Sequence, residues 1–307
     1  MRFTGIVSFA NYPFMKRTWK QAFRDLEADE ALVSYLLLVT LPFPPVQAGE
    51  SRRTPADKSV RATQPNTISG MSVPTWLKVL NSEVIGCTRC PRLVDYREQI
   101  AREKRRAYRD CEYWGKPVPG FGDPHARVLV LGLAPGAHGS NRTGRMFTGD
   151  SSGNFLYPVL HETGFALLPT ATARDDGQAL TGLYITAAAR CAPPDNKPLP
   201  EELAQCAPFL ERELEGLKDL RVVVALGRIG FEAYLNFLMR RKLIARKREY
   251  EFRHGAEYAL ADGRVLLASY HPSNQNTQTG KLTKEMFRKI FKRARELADE
   301  STGRILR

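Results

Sequence analysis

No run of residues in this 307-residue chain is long and apolar enough to cross a bilayer. The longest apolar stretch, Ala31 to Phe43, is 13 residues and is broken by Ser34, Tyr35 and Thr40. A span needs roughly 20. A secretory leader is also missing, because Asp25, Glu27, Asp29 and Glu30 stand where a basic region should lead. These absences predict a cytoplasmic protein. Cysteine is scarce at 5 residues, too few for a disulfide scaffold, and clustered thiols in a reducing compartment more often bind metal. Carboxylates are short as well. Asp+Glu number 33 against 46 Lys+Arg, a net charge of +13, which points to a polyanionic partner. There is no internal repeat. Neither G-x-G-x-x-G nor G-x-x-x-x-G-K-[ST] occurs in the glycine-rich loop, so neither nucleotide fingerprint applies there.

What remains is a globular composition, 43% hydrophobic and 26% charged, enough for a substantial core. Residues 1–70 stand apart. Pro42 to Gly70 is rich in Pro, Ser, Thr and Arg without periodicity, and reads as linker or disorder. The expectation is an N-terminal extension over 1–70, disordered or dispensable, and one domain over 71–307. From Met71 a new pattern opens, with Trp76, Leu77, Leu80 and Ile85 at near-helical spacing.

Four apolar runs read as strands buried on both faces: Arg127–Leu133, Leu183–Ala188, Arg221–Leu226 and Arg264–Tyr270. Helical patterns alternate with them at Gly153–Thr163, Pro200–Leu217, Ile229–Leu243 and Thr283–Asp299. Alternation of this kind predicts an α/β fold with a parallel sheet and helices on both faces. In such folds ligands gather at the carboxyl ends of the strands. The polar segments Ala134–Asp150, Arg190–Lys197 and His271–Thr279 all fall there, which predicts one shared site.

Cys87 and Cys90 form C-x-x-C, and Cys191 and Cys206 follow with fourteen residues between them. Four thiolates suit an iron–sulfur cluster or zinc, and inert thiols are the third reading. The single tight knuckle leans away from structural zinc. Cys111 is left over and reads as a small buried apolar residue. The loop Gly132–Asp150 carries five glycines with Asn141, Arg142 and Arg145 among them, so its backbone can approach a ligand closely.

The segments GLAPGAHGSNRTGRMFTGD, RCAPPDNKPLP, HPSNQNTQTG and CTRCPRL together resemble the type-5 uracil-DNA glycosylases, within the uracil-DNA glycosylase superfamily. The likeness runs from about Met71 to about Arg295. It implies a three-layer α/β/α fold with a four-stranded parallel sheet. It implies a 4Fe–4S cluster on Cys87, Cys90, Cys191 and Cys206, structural rather than redox-active. It further implies hydrolysis of the N-glycosidic bond of uracil, and of other deaminated bases such as hypoxanthine, in double-stranded DNA, as the opening step of base-excision repair.

Roles follow residue by residue from the same likeness. Phe147 matches the ring that lies against the flipped base. Asp150 matches the carboxylate that orients or deprotonates water, although an Asp before a helix is also a favoured N-cap. Leu133 and Ala134 stand where much of the superfamily has a polar residue. Asn196 matches a contact to the base edge or the water. His271 matches a donor to the carbonyl of the leaving base. Backbone at Gly132, Ala134 and Gly136 faces the base, Gln275 and Asn276 are candidate fillers of the vacated stack, and His138, Asn141 and Arg142 are candidate phosphate contacts. Lys281–Arg295 reads equally as a solvated helix face and as a phosphate grip. No lysine in these motifs sits where a Schiff-base nucleophile would, so the expected enzyme is monofunctional and monomeric. The alternatives are a type-4 uracil-DNA glycosylase, whose acidic residue is replaced here by Leu133, an inactive iron–sulfur nucleic-acid-binding protein, and a zinc-stabilised RNA-binding protein.

Overall fold

The computed structural model describes residues 73–303. The expected extension over 1–70 lies outside the described residues. The four apolar runs are strands as expected: β2 Val128–Gly132, β3 Leu183–Ala187, β4 Val222–Leu226 and β6 Val265–Ser269. They pair in parallel in the order β3-β2-β4-β6, with Val128 opposite both Leu183 and Val222, and Val222 opposite Val265.

The sheet is larger than the four strands expected. Two antiparallel edge strands complete it, β1 Phe121–Gly122 against β3 and β5 Glu257–Ala259 against β6. They are two and three residues long, too short to show alternation. Short edges of this kind limit the unpaired backbone a sheet presents to other chains.

Every residue of β2, β3 and β4 is buried, and alternate side chains serve opposite faces. On one face Val128, Val130, Ile185 and Val224 pack with Leu156, Tyr157 and Leu160 of α4 (Ser151–Glu162) and with Phe287, Ile290 and Phe291 of α8 (Lys284–Gly303). On the other, Leu129, Leu131, Val223 and Ala225 pack with Leu210 and Leu214 of α5 (Pro200–Gly216) and Phe231, Tyr234 and Leu238 of α6 (Arg228–Arg240). The arrangement is three-layered α/β/α. Ahead of the sheet, α1 (Thr75–Ile85) buries Leu77, Leu80 and Val84, and α2 (Pro91–Glu103) buries Leu93 and Arg97. No helix among the described residues is long and apolar enough to cross a membrane.

One polar cluster interrupts the second core. Glu213 of α5 is fully buried and its carboxylate accepts from Thr186 Oγ1 at 2.7 Å, Arg190 at 2.5 Å and the Tyr184 hydroxyl at 3.4 Å. Arg190 is itself buried, just beyond β3. The pair thus anchors the chain where it leaves the sheet toward Cys191. Removing one partner of a buried pair strands the other charge, at about 3–5 kcal/mol. Glu213→Ala is therefore expected to lower unfolding stability by that amount in urea titration. A loss below about 1 kcal/mol would show that Arg190 finds water instead.

Candidate active site

The site forms where β2, β3 and β6 end. Gly132 closes β2, and the loop that follows coils through α3 (Ser140–Thr143) to Asp150, where α4 begins. Late in this loop Phe147 has a left-handed backbone, φ 52°, and is 8% exposed. Its ring stacks on that of His271 with centroids 5.8 Å apart and planes 30° apart. A Cβ at Gly132 would stand 3.0 Å from the Phe147 ring, and one at Gly153 would strike the Phe147 carbonyl. Glycine at both places is what lets the ring settle across the strand ends. Gly132, Phe147 and His271, expected together from sequence, are together.

Left-handed backbone at a bulky residue costs about 1–3 kcal/mol and persists only when its surroundings hold it. Arg145 is the main brace. Its buried guanidinium donates to Thr148 Oγ1 at 2.9 Å, to the Arg174 carbonyl at 3.1 Å and to Asp176 at 2.7 Å. Burial raises the Asp176 carboxyl, but Arg145 and the backbone amides of Gln178, Thr172 and Ala173 pull it down to about 2. On the far side Gly149 donates its amide to Ala171 and accepts from Arg142.

Asp150 is the N-cap of α4, accepting from the Gly153 amide at 2.9 Å through Oδ1. Its other oxygen, Oδ2, lies against Gly136 and Gly139, where a Cβ would crowd or overlap it. Burial raises its pKa, against the bonds from Gly153 and Ser152 and the charge of Arg142. The cap and a carboxylate at the loop's inner surface are therefore one residue. His271 follows β6, and burial lowers its pKa to about 4. Gly227, at φ 86°, passes 3.2 Å from His271 Cβ as a substituted residue would measure it. Asn276 donates its amide to the His271 carbonyl at 2.9 Å from α7 (Asn274–Gln278). Sequence reading gave Asn276 only a contact with DNA. Its observed bond is to the histidine's own backbone.

The other expected residues divide. Ala134 and Gly136 are half-buried in the β2 loop. Asn196 is exposed, on a 3₁₀ turn where it and Asp195 are both left-handed. Gln275 is exposed. Asn141 was a candidate phosphate contact, but it is fully buried and donates to the carbonyls of Arg97 and Ala137. Arg142 stacks 4.1 Å over Tyr108 and braces the His138 and Gly149 carbonyls, while His138 Nδ1 meets the Tyr113 hydroxyl at 3.1 Å. These three side chains support the loop. Gly227, Arg97 and Asp176 were missed. Nothing local in sequence separates a bracing Asp from a solvated one.

Cys87 follows α1, Cys90 caps α2, Cys191 follows β3 and Cys206 lies in α5. All are free thiols. Burial pushes Cys191 up to about 12 and raises Cys90 and Cys206. Each of the three also feels its partners: Cys206 and Cys87 act on Cys90 and Cys191, and Cys87 acts on Cys206. Arg97 donates to Cys191 Sγ at 3.2 Å and to the Cys87 carbonyl at 3.3 Å. Three segments, carrying Cys87 with Cys90, Cys191 and Cys206, thus bring thiols near enough to feel one another's charge, and thiolates are donors suited to soft metals. No group of three or more His, Cys, Asp or Glu among the described residues is gathered closely enough to hold a metal ion. Cys111 is half-buried rather than buried.

A sheet with this loop at its strand ends is the architecture of the uracil DNA glycosylase superfamily, whose family model matches residues 119–295. A type-5 uracil-DNA glycosylase of Thermus thermophilus is 58% identical over 212 residues, 69% of this chain and 94% of that protein. A type-5 uracil-DNA glycosylase of Mycobacterium leprae is 46% identical over 220 residues, 71% of this chain and 94% of that protein. A type-4 uracil-DNA glycosylase of Sulfurisphaera tokodaii is 27% identical over 216 residues, 67% of this chain and 86% of that protein. The chain belongs to the type-5 uracil-DNA glycosylases, and it is a hydrolase of N-glycosyl bonds. The type-4 alternative falls away with the lower identity and with Leu133.

His271 is expected to titrate near 4 by NMR rather than near the ordinary 6.5. The imidazole would then be neutral throughout the neutral range. A midpoint at or above 6.5 would show that water or a carboxylate reaches the ring.

Proposed function

We propose that the chain removes uracil from double-stranded DNA, and hypoxanthine as well, opening base-excision repair without cutting the strand. The observation that carries this reading is the Phe147–His271 stack beside the Asp150 carboxylate at the strand ends. A base inside a duplex must first leave the stack. Phe147 offers it a flat apolar wall. Water then attacks C1′ of the sugar, the glycosidic bond breaks, and its electron pair leaves with the base. Asp150 holds the water through Oδ2 and takes its proton, since Oδ1 is engaged with Gly153. A carboxylate with a raised pKa suits this work. His271, neutral because it is buried, donates its N–H to the carbonyl oxygen on which the charge collects. One such donor lowers a barrier by about 3 kcal/mol. Asn196 enters as an exposed amide able to meet a base edge with both a donor and an acceptor. Gly132 and Gly136 carry no side chain, so a base can approach the backbone closely there. Such an enzyme works as a monomer in the cytoplasm, with the nucleoid.

The cysteine set supports a 4Fe–4S cluster with a structural role. Cluster ligands stand on separate irons, farther apart than the ligands of one zinc, and thiols of this set feel one another's charge. When bound, the cluster supplies cross-links between α1, α2, the segment after β3 and α5, and takes no part in hydrolysis.

Two labelled duplexes, one with a G·U pair and one with a T·hypoxanthine pair, test the activity, with alkali revealing abasic sites. Both bases are expected to leave. His271→Gln should slow single-turnover release about 10²–10³-fold and Asp150→Asn about 10²–10⁴-fold, with duplex affinity retained. Release of uracil alone would remove hypoxanthine from the reading. Release of neither, with binding intact, would leave an inactive DNA-binding protein.

The pH profile carries its own test. Because Asp150's pKa is raised, its carboxylate is lost as pH falls through a value above the ordinary carboxylate range. The parent's acid limb should lie there and vanish in Asp150→Asn. Cys191→Ala is expected to lose bound iron and sulfide and to melt at a lower temperature, whereas Cys111→Ala should keep both. Iron content unchanged by Cys191→Ala would exclude the four-cysteine cluster.

A further inference from the structure

The cationic side chains are not equivalent. On α8, Arg288 is paired with Glu162 and Glu285, and Arg293 with Glu257, Glu296 and Glu300. Arg295 donates to the Thr163 carbonyl and lies 3.9 Å over Phe165. That helix's arginines are neutralised or engaged within the domain.

The segment that joins α2 to the sheet is different. Residues 102–116 hold six cations, Arg102, Lys104, Arg105, Arg106, Arg109 and Lys116, against Glu103, Asp110 and Glu112. Among the described residues, none of the six has a carboxylate partner within ion-pair distance. Arg102, Arg105, Arg106, Arg109 and Lys116 are exposed. The segment is also tied to the base-facing loop. The Trp114 and Gly115 amides donate to the carbonyls of Arg142 and Asn141 at 2.8 and 3.0 Å. Tyr113 meets His138, and Tyr108 lies under Arg142. Arg105 is near enough for its charge to help lower the His138 pKa, after burial. Trp114 is flanked by Arg174 at 4.3 Å and Lys116 at 5.7 Å.

We propose that Arg102–Lys116 is a surface that grips the phosphate backbone of duplex DNA beside the flipped base. This rests on the DNA-glycosylase reading above. Unpaired cations keep their full charge for phosphates and release counterions when they bind. Cations already paired with carboxylates release little. The hydrogen bonds to the β2 loop fix the distance between the gripped backbone and the base pocket. Binding and extrusion then share one rigid frame.

The test uses the triple variant Arg105→Gln/Arg106→Gln/Arg109→Gln, which removes three charges, and then Arg106→Gln by itself. The probe is a fluorescent duplex holding a tetrahydrofuran abasic analogue, with Kd measured across a KCl series. Each lost phosphate contact lowers the slope of log Kd against log [KCl] by about 0.9. The first variant is expected to lower it by about 2 to 3 and to weaken binding roughly tenfold or more at low salt. The three arginines are exposed and, among the described residues, their side chains hold no hydrogen bond, so the thermal midpoint should not move. Arg106→Gln alone, expected to lower the slope by about 1, gives a second reading with less charge removed. An unchanged slope in the triple variant overturns the assignment. Uracil release by the parent on a G·U duplex tests the underlying reading separately.

Discussion

The site depends on the ion pair between Arg145 and Asp176. Arg145 is almost wholly buried and Asp176 is close to it in burial, with side chains 4% and 13% exposed. The pair fixes the residues on both sides of Phe147, through Thr148 and the Arg174 carbonyl. Without it, the bonds of Gly149 to Ala171 and Arg142 are left to offset the cost of a left-handed phenylalanine. The ring would relax away from Gly132 and His271, and the strand ends would lose their flat wall. An interaction that contacts no substrate therefore decides whether the residues that do so can meet.

A second dependency links the cysteines to the same loop. Arg97 donates to Cys191 and Cys87, and its carbonyl accepts from buried Asn141 within the loop. Asn141 Oδ1 and Arg97 Nε have no partner among the described residues. Two orphaned polar atoms in one buried connection cost stability. They are tolerated where the connection sets geometry. Arg97 thereby ties the segments of Cys87 and Cys191 to the loop that carries Phe147.

The layers were legible because β2, β3 and β4 are buried on both faces and so read as unbroken apolar runs. The helices between them show the 3.6-residue period, α8 most clearly, with Phe287, Ile290 and Phe291 inward. The edge strands were not legible. Phe121–Gly122 and Glu257–Ala259 acquire their extended form by pairing with β3 and β6, not from their own side chains. Asn141 was read as a phosphate candidate for a related reason. Asn and Arg in a glycine loop look alike whether they face solvent or brace carbonyls. Only the folded loop distinguishes Asn141, which is buried, from an exposed amide such as Asn196.

The sequence alone determined the number of central strands, the alternation with helices, and which polar segments stand at the strand ends. These are local properties, carried by hydrophobic period and by motif. It also determined the family, through four motifs whose order and spacing are matched. Tertiary structure decided what each polar residue does. Asp150 became both cap and half-buried carboxylate, His271 a ring whose pKa burial lowers, Asn276 a donor to the His271 carbonyl, and Arg288 and Arg293 paired charges. Those roles depend on neighbours often more than 100 residues away, as with Arg288 and Glu162. Burial and pairing set protonation state and charge, and neither exists until the chain has folded.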